Sequence, residues 1–154
     1  MSLSQRKIPS PVGELYLVAS DKGLRGIYKK RQAVPVEPSK VLDSASRELQ
    51  EYFSGERKRF SVPLDLQGTD FQKRVWAELV KIPYGTTVSY RDIAARIKSP
   101  KAVRAVGSAN GKNPACIVVP CHRVIAADGG LGGYSGGLKM KSKLLELEGL
   151  ESED

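Results

Sequence analysis

The chain has 154 residues, 40% of them apolar, and 25 Lys and Arg against 17 Asp and Glu leave a net charge of +8. That length buries one sizeable core, or two small ones joined by a short linker. No run approaches the ~18–20 apolar residues of a membrane span, and the polar opening Met1-Ser2-Leu3-Ser4-Gln5-Arg6-Lys7 lacks the apolar stretch of a secretory signal, so the expected compartment is the cytoplasm.

Residues 12–19 alternate partly around Leu15, Leu17 and Ala19, Asp21-Lys22-Gly23 reads as a turn, and 24–28 supplies a second strand, predicting a hairpin. Pro35 and Pro38 break the chain before a helix over about 39–53, with Val41, Leu42, Ala45, Leu49 and Phe53 on one face and Gly55 closing it. Residues 61–68, with Pro63 and Gly68, read as a linker. It divides the chain into an N-terminal sheet-plus-helix domain over 1–66 and a C-terminal domain over 67–154, an α/β (α+β) arrangement.

Thr69 and Gln72 fit a capping box ahead of Phe71, Val75, Trp76, Leu79 and Val80 at helical spacing, and Pro83-Tyr84-Gly85 ends that helix. Ser89 caps a helix over about 90–97, while Ser99 and Pro100 supply the cap and first-turn proline of another reaching Asn110. Two short helices about a turn predict a helix-turn-helix, with a plain αα-corner as the alternative. Ile117-Val118-Val119 reads as a buried strand ended by Pro120, and 138–150 as a closing helix with Met140, Leu144, Leu145 and Leu147 inward. Either Glu146 or Glu148, taken singly, is expected in solvent.

Residues 91–123 carry Arg91, Arg96, Lys98, Lys101, Arg104, Lys112 and Arg123 against the single acid Asp92, a local balance of +6. Such a segment suits a polyanion or forms an ordinary solvated surface. Cys116 and Cys121, five positions apart on an apparent strand and turn, are poorly placed for a structural disulfide, and with the one His122 they offer no zinc spacing. No metal and no cofactor is expected.

Cys121-His122-Arg123 places a thiol, an imidazole and a cation in succession; a thiolate is the reactive form, and a nearby base or cation promotes it. A buried cysteine acting only as a small hydrophobe is the competing reading. From Gly129 to Gly137, six glycines in nine positions surround Tyr134 and Ser135, a loop able to bring amides close to a ligand or simply to flex.

Pro120-Cys121-His122-Arg123-Val124 resembles the reactive-cysteine signature of the O6-alkylguanine-DNA alkyltransferase family, and the likeness runs from about Phe71 to Gly149. The resemblance implies a ribonuclease H-like N-terminal layout and a mostly helical C-terminal domain that binds the minor groove of duplex DNA. Cys121 becomes the acceptor of an alkyl group from O6-alkylguanine, His122 its base through a water, and Glu148 the group that orients the imidazole. Asn113 links recognition helix to active-site strand, and Arg104 enters the duplex where the target nucleotide has left. Tyr90 helps rotate that nucleotide, with Arg91, Lys101 and Ala102 at the DNA and Val124, Gly132, Tyr134 and Ser135 around the guanine. A single-use monomer is implied. A lesion-binding protein that leaves its DNA unchanged, and a cysteine hydrolase, are the competing readings, and the resemblance assigns Cys116 no role.

Overall fold

The computed structural model describes residues 2–127, 134 and 137–150, which divide into two compact units, Met1–Gln67 and Gly68–Asp154. In the first unit β1 (Ser4–Ile8), β2 (Leu15–Ala19) and β3 (Leu24–Tyr28) form an antiparallel sheet in the order β1-β2-β3. Leu15, Leu17 and Ala19 bury inward beside Leu42, Ala45, Leu49 and Tyr52 of α1 (Lys40–Phe53), whose N-cap Ser39 accepts from the Leu42 N–H.

The hairpin therefore supplies two strands of a three-stranded sheet, because β1 joins it. Its Ser-Gln-Arg-Lys-Ile sequence carries no apolar alternation, and its inward Gln5 is satisfied through the amide instead, donating to Gln32 O at 2.6 Å and accepting from Gln32 N at 3.1 Å. Residues 63–65 are not a free linker either. Leu24 N donates to Pro63 O and Asp65 N to Leu24 O, so this stretch lies along β3; a Cβ on Gly23 would meet it at 2.7 Å.

In the second unit α2 (Asp70–Val80) starts at the capping box of Thr69 and Gln72. Its Trp76 donates from Nε1 to Ala109 O of α4 (Val103–Gly111) at 2.8 Å, tying the two helices. β4 (Val88–Ser89) leads into α3 (Tyr90–Arg96), whose cap is Ser89 with Asp92. α3 and α4 pack together as the expected helix pair.

α4 begins later than the sequence suggests. Ser99 does not cap it: the Ser99 carbonyl closes a turn with Ala102 N, Pro100 sits inside that turn, and Ala102 is the N-cap without a side-chain bond. Nor is Ile117-Val118-Val119 a strand. The Asn113 amide folds this stretch into a turn, donating to Val119 O at 2.8 Å and accepting from Ala115 N at 3.0 Å, which holds Ile117 at φ 77°. A β-branched residue there is strained.

Beyond it, β5 (Val124–Ile125) pairs in parallel with β4, fixing the site turn against the start of α3. The closing helix α5 (Leu138–Leu147) is shorter than expected; Met140, Leu144 and Leu145 are buried and Leu147 half-buried. Gly149, at φ 86°, ends it with Gly149 N on Glu146 O and Leu150 N on Leu145 O, the double bond pattern of a left-handed helix stop. No helix among the described residues is long and apolar enough to cross a membrane.

Candidate active site and nucleic-acid interface

Pro120, at φ −79° and ψ 65°, is the centre of an inverse γ-turn closed by Cys121 N on Val119 O at 2.7 Å, and a single 3₁₀ turn, Cys121–Arg123, follows. This curl, rather than a strand, lets three consecutive side chains share one interior. Cys121 and His122 are fully buried and Arg123 nearly so.

Glu148 is the hub. Its Oε2 lies 2.6 Å from His122 Nε2, Arg123 donates to both oxygens (Nε to Oε1 at 2.9 Å, Nη2 to Oε2 at 3.0 Å), and Gly85 N donates at 3.0 Å. The expectation of a solvated glutamate fails because the left-handed stop at Gly149 makes Glu148 the C-cap and its side chain turns inward. Arg123 completes its donors on Ile82 O at 2.7 Å and lies over the Tyr84 ring. One of the seven cations counted on the basic segment is thus interior.

An acceptor on Nε2 keeps the imidazole proton there, leaving the Nδ1 lone pair available; Nδ1 is buried and bonded to none of the described residues. Burial lowers the His122 pKa, against the opposing pull of Glu148, so the ring stays neutral well into mild acid. Burial raises the Cys121 thiol, moderated by the Asn113 side chain, the Tyr134 hydroxyl and the charge of Lys141. A thiol so placed rests protonated beside a neutral base.

Lys141 and Asn110 were not legible as site residues. Lys141 is fully buried, donates to Val124 O at 2.7 Å and lies 6.0 Å over the Tyr90 ring, with its pKa lowered by burial to about 8. Its signal was periodicity: Lys141, Leu144, Leu145 and Glu148 stand at i, i+3, i+4 and i+7, one helix face. Asn110 donates to Cys121 O at 3.4 Å.

Replacing Lys141 by Met is expected to raise thermal stability by about 1 kcal/mol at pH 7, since removing a buried charge outweighs the loss of its bond to Val124 O. The folded pKa lies below the ordinary lysine value of 10.5. The unfolded chain therefore binds more protons between about 8 and 10.5, and the native protein gains stability as pH rises through that window. The variant's advantage is greatest below pH 8 and shrinks above it, a crossover that denaturant titrations at several pH values will show.

Of the remaining expected residues, Val124 is buried behind the turn and Tyr90 is half-buried at the first turn of α3. Tyr134 keeps its hydroxyl in the interior. Ser135 and Gly132 lie outside the described residues. Arg91, Lys101 and Arg104 are exposed with no ion pair among the described residues, and Ala102 is half-buried. Arg96, Lys98 and Lys112 are exposed too, so six cations face solvent around α3 and α4.

Two family models match, the 6-O-methylguanine DNA methyltransferase ribonuclease-like domain over residues 3–66 and its DNA binding domain over 70–150. A methylated-DNA–protein-cysteine methyltransferase of Methanosarcina acetivorans is 50% identical over 147 residues, covering 91% of this chain and 94% of that one. Its Mycobacterium tuberculosis counterpart is 49% identical over 151 residues, covering 93% and 90%. The crystal structure of M. tuberculosis O6-methylguanine methyltransferase superposes with a TM-score of 0.87 at 45% identity, covering 99% of this chain and 96% of that one. M. tuberculosis OGT in complex with DNA gives 0.87 at 48%, covering 94% and 92%. A signature turn, a buried Cys-His-Glu-Arg cluster and matches across both units agree: the chain belongs to the 6-O-methylguanine DNA methyltransferase family.

Proposed function

We propose that Cys121 is the methyl acceptor in this repair reaction, and that the Glu148-oriented imidazole is its base. The chain is a DNA-repair methyltransferase acting on O6-methylguanine, as its curated relatives and its matched domains have it. The observation that carries the residue assignment is the buried, hydrogen-bond-saturated Glu148, which leaves His122 one available lone pair next to a buried thiol.

In this reading Nδ1 takes the Cys121 proton through a water, and the thiolate attacks the methyl carbon. The sulfur–carbon bond forms as the carbon–O6 bond breaks, and the electron pair leaves with guanine. Tyr90, held at the start of α3 against the Lys141 ammonium, supplies the proton that neutralises the departing base. The product thioether resists water, so each molecule acts once. Asn113 serves by holding the turn that presents Cys121.

A methyl on O6 is out of reach inside stacked duplex, so the nucleotide is flipped from the minor-groove side, at a cost of a few kcal/mol that cationic contacts offset. Small side chains at Ala102 and Ala105 and the uncapped start of α4 suit close approach to a backbone phosphate. Tyr134, with Ser135 and Gly132 of the glycine loop, walls the guanine. A monomer in the cytoplasm fits two cysteines that form no disulfide.

The test is intact mass after incubation with duplex carrying O6-methylguanine: a gain of about 14 Da that maps to Cys121, and saturates at one equivalent, supports the assignment. Unchanged mass with tight binding points to a lesion marker, and turnover beyond one equivalent to a hydrolase. Lys101→Ala is expected to lower the slope of log affinity against log salt by about 0.9, as loss of one phosphate contact should. Arg104→Ala leaves that slope nearly unchanged and slows transfer from duplex about tenfold, with a smaller effect on single strands, when both rates are followed in single turnover.

A further inference from the structure

The turn that presents Cys121 also brings the second cysteine back to it. Asn113 closes the loop, the chain reverses at Ile117 and Val118, and Cys116 forms a β-bridge with Val119. The inverse γ-turn at Pro120 then draws Cys121 in toward Val119. The five positions from one cysteine to the other thus form a closed curl instead of an extended strand, and both residues turn back on Val119.

A second feature relates the two cysteines. The Tyr134 oxygen is buried, makes no hydrogen bond of ordinary geometry with the described residues, and feels both thiols: burial first, then Cys116 and Cys121, hold its hydroxyl well above the usual range. Cys121 is fully buried, whereas Cys116 is half-buried. Methyl transfer as derived above gives Cys116 nothing to do.

We propose that Cys116 is a redox partner of Cys121: a hydroperoxide oxidises Cys116, and Cys121 closes a disulfide onto it, storing the acceptor in a reversible form. In the first step the Cys116 thiolate attacks the peroxide oxygen; a sulfur–oxygen bond forms, the O–O bond breaks, the peroxide is reduced and an alcohol or water leaves. In the second, His122 takes the Cys121 proton and the Cys121 sulfur displaces hydroxide from the Cys116 sulfenic acid, giving the disulfide and water. The base that prepares Cys121 for a methyl carbon prepares it equally for an electrophilic sulfur. A dithiol reverses the bond by exchange. This rests on Cys121 being the acceptor, and a ring closed by so few residues is strained and readily reduced.

The test treats the whole protein with about one equivalent of hydrogen peroxide and follows mass under non-reducing conditions. A loss of about 2 Da, with residues 116 and 121 in one linked peptide, and methyl-accepting capacity that falls and returns with dithiothreitol, is the expected result. Cys116→Ser transfers methyl normally before treatment, shows no such loss of mass, and keeps its capacity through the same treatment, because the thiol that meets the peroxide is gone and Cys121 is buried. Equal and irreversible inactivation of both proteins, or linkage between molecules instead of within one, overturns the proposal. The acceptor assignment fails by a separate result, methyl found elsewhere than Cys121 in untreated protein.

Discussion

Cys121→Ala is expected to abolish methyl transfer while leaving the affinity for alkylated duplex within about twofold of the parent. The separation follows from position. Cys121 is fully buried on the 3₁₀ turn, whereas the six exposed cations stand around α3 and α4. Removing the thiol leaves a void of about one methyl group, at a cost of about 1 kcal/mol, well within the stability of a domain this size. The turn survives, because it is held by main-chain bonds and by the Asn113 amide on Val119 O and Ala115 N, none of which ends on the sulfur.

The control has a sharp alternative in Cys116, the one other thiol in the chain. If Cys121→Ala still strips methyl from DNA and gains about 14 Da at Cys116, the base and the acceptor have been wrongly paired. Binding that collapses together with transfer would instead show that the turn itself was lost, which circular dichroism and thermal unfolding would reveal independently.

Two of the three caps read from the sequence hold because they act locally. Thr69 with Gln72, and Ser89, each satisfy the first N–H groups of a helix within three residues, so a short window contains the whole cause. Three of the errors have the opposite property. β1 is set by Gln5 bonding to residue 32, Ile117-Val118-Val119 is turned by Asn113, and residues 63–65 are held by Leu24, all partners outside the window.

At the site, the signature Cys121-His122-Arg123 was visible as chemistry but not as geometry. Arg123 was counted with the phosphate-binding cations, and only the fold shows it spent on Glu148. Glu148 itself, at the end of an exposed-looking helix, owes its inward turn to the glycine that follows. Lys141 could have been found, since it shares the apolar face of α5, but a buried lysine is rare enough that propensity argues against it.

Glu148 is where stability and chemistry are most closely joined, and two substitutions separate them. Glu148→Ala strands the Arg123 guanidinium in the interior, removes the acceptor from His122 and leaves Gly85 N without its partner. Breaking a buried pair from one side costs about 3–5 kcal/mol, which for a protein of this length lowers the unfolding midpoint by roughly 6–20 °C. That loss alone would depress activity without proving a role in the reaction. Glu148→Gln retains shape and one oxygen, so its stability should fall less. Its amide nitrogen must face either Arg123 or His122, and both present donors to the carboxylate. Facing the imidazole, the amide forces the proton from Nε2 to Nδ1 and removes the lone pair proposed to deprotonate Cys121. Single-turnover transfer should then fall by ~10²–10⁴ with duplex affinity retained, a loss of the size expected when a base is locked in the wrong tautomer. If Glu148→Gln instead transfers methyl at the parental rate, Glu148 is a structural clamp on Arg123 and the base acts without an orienting partner.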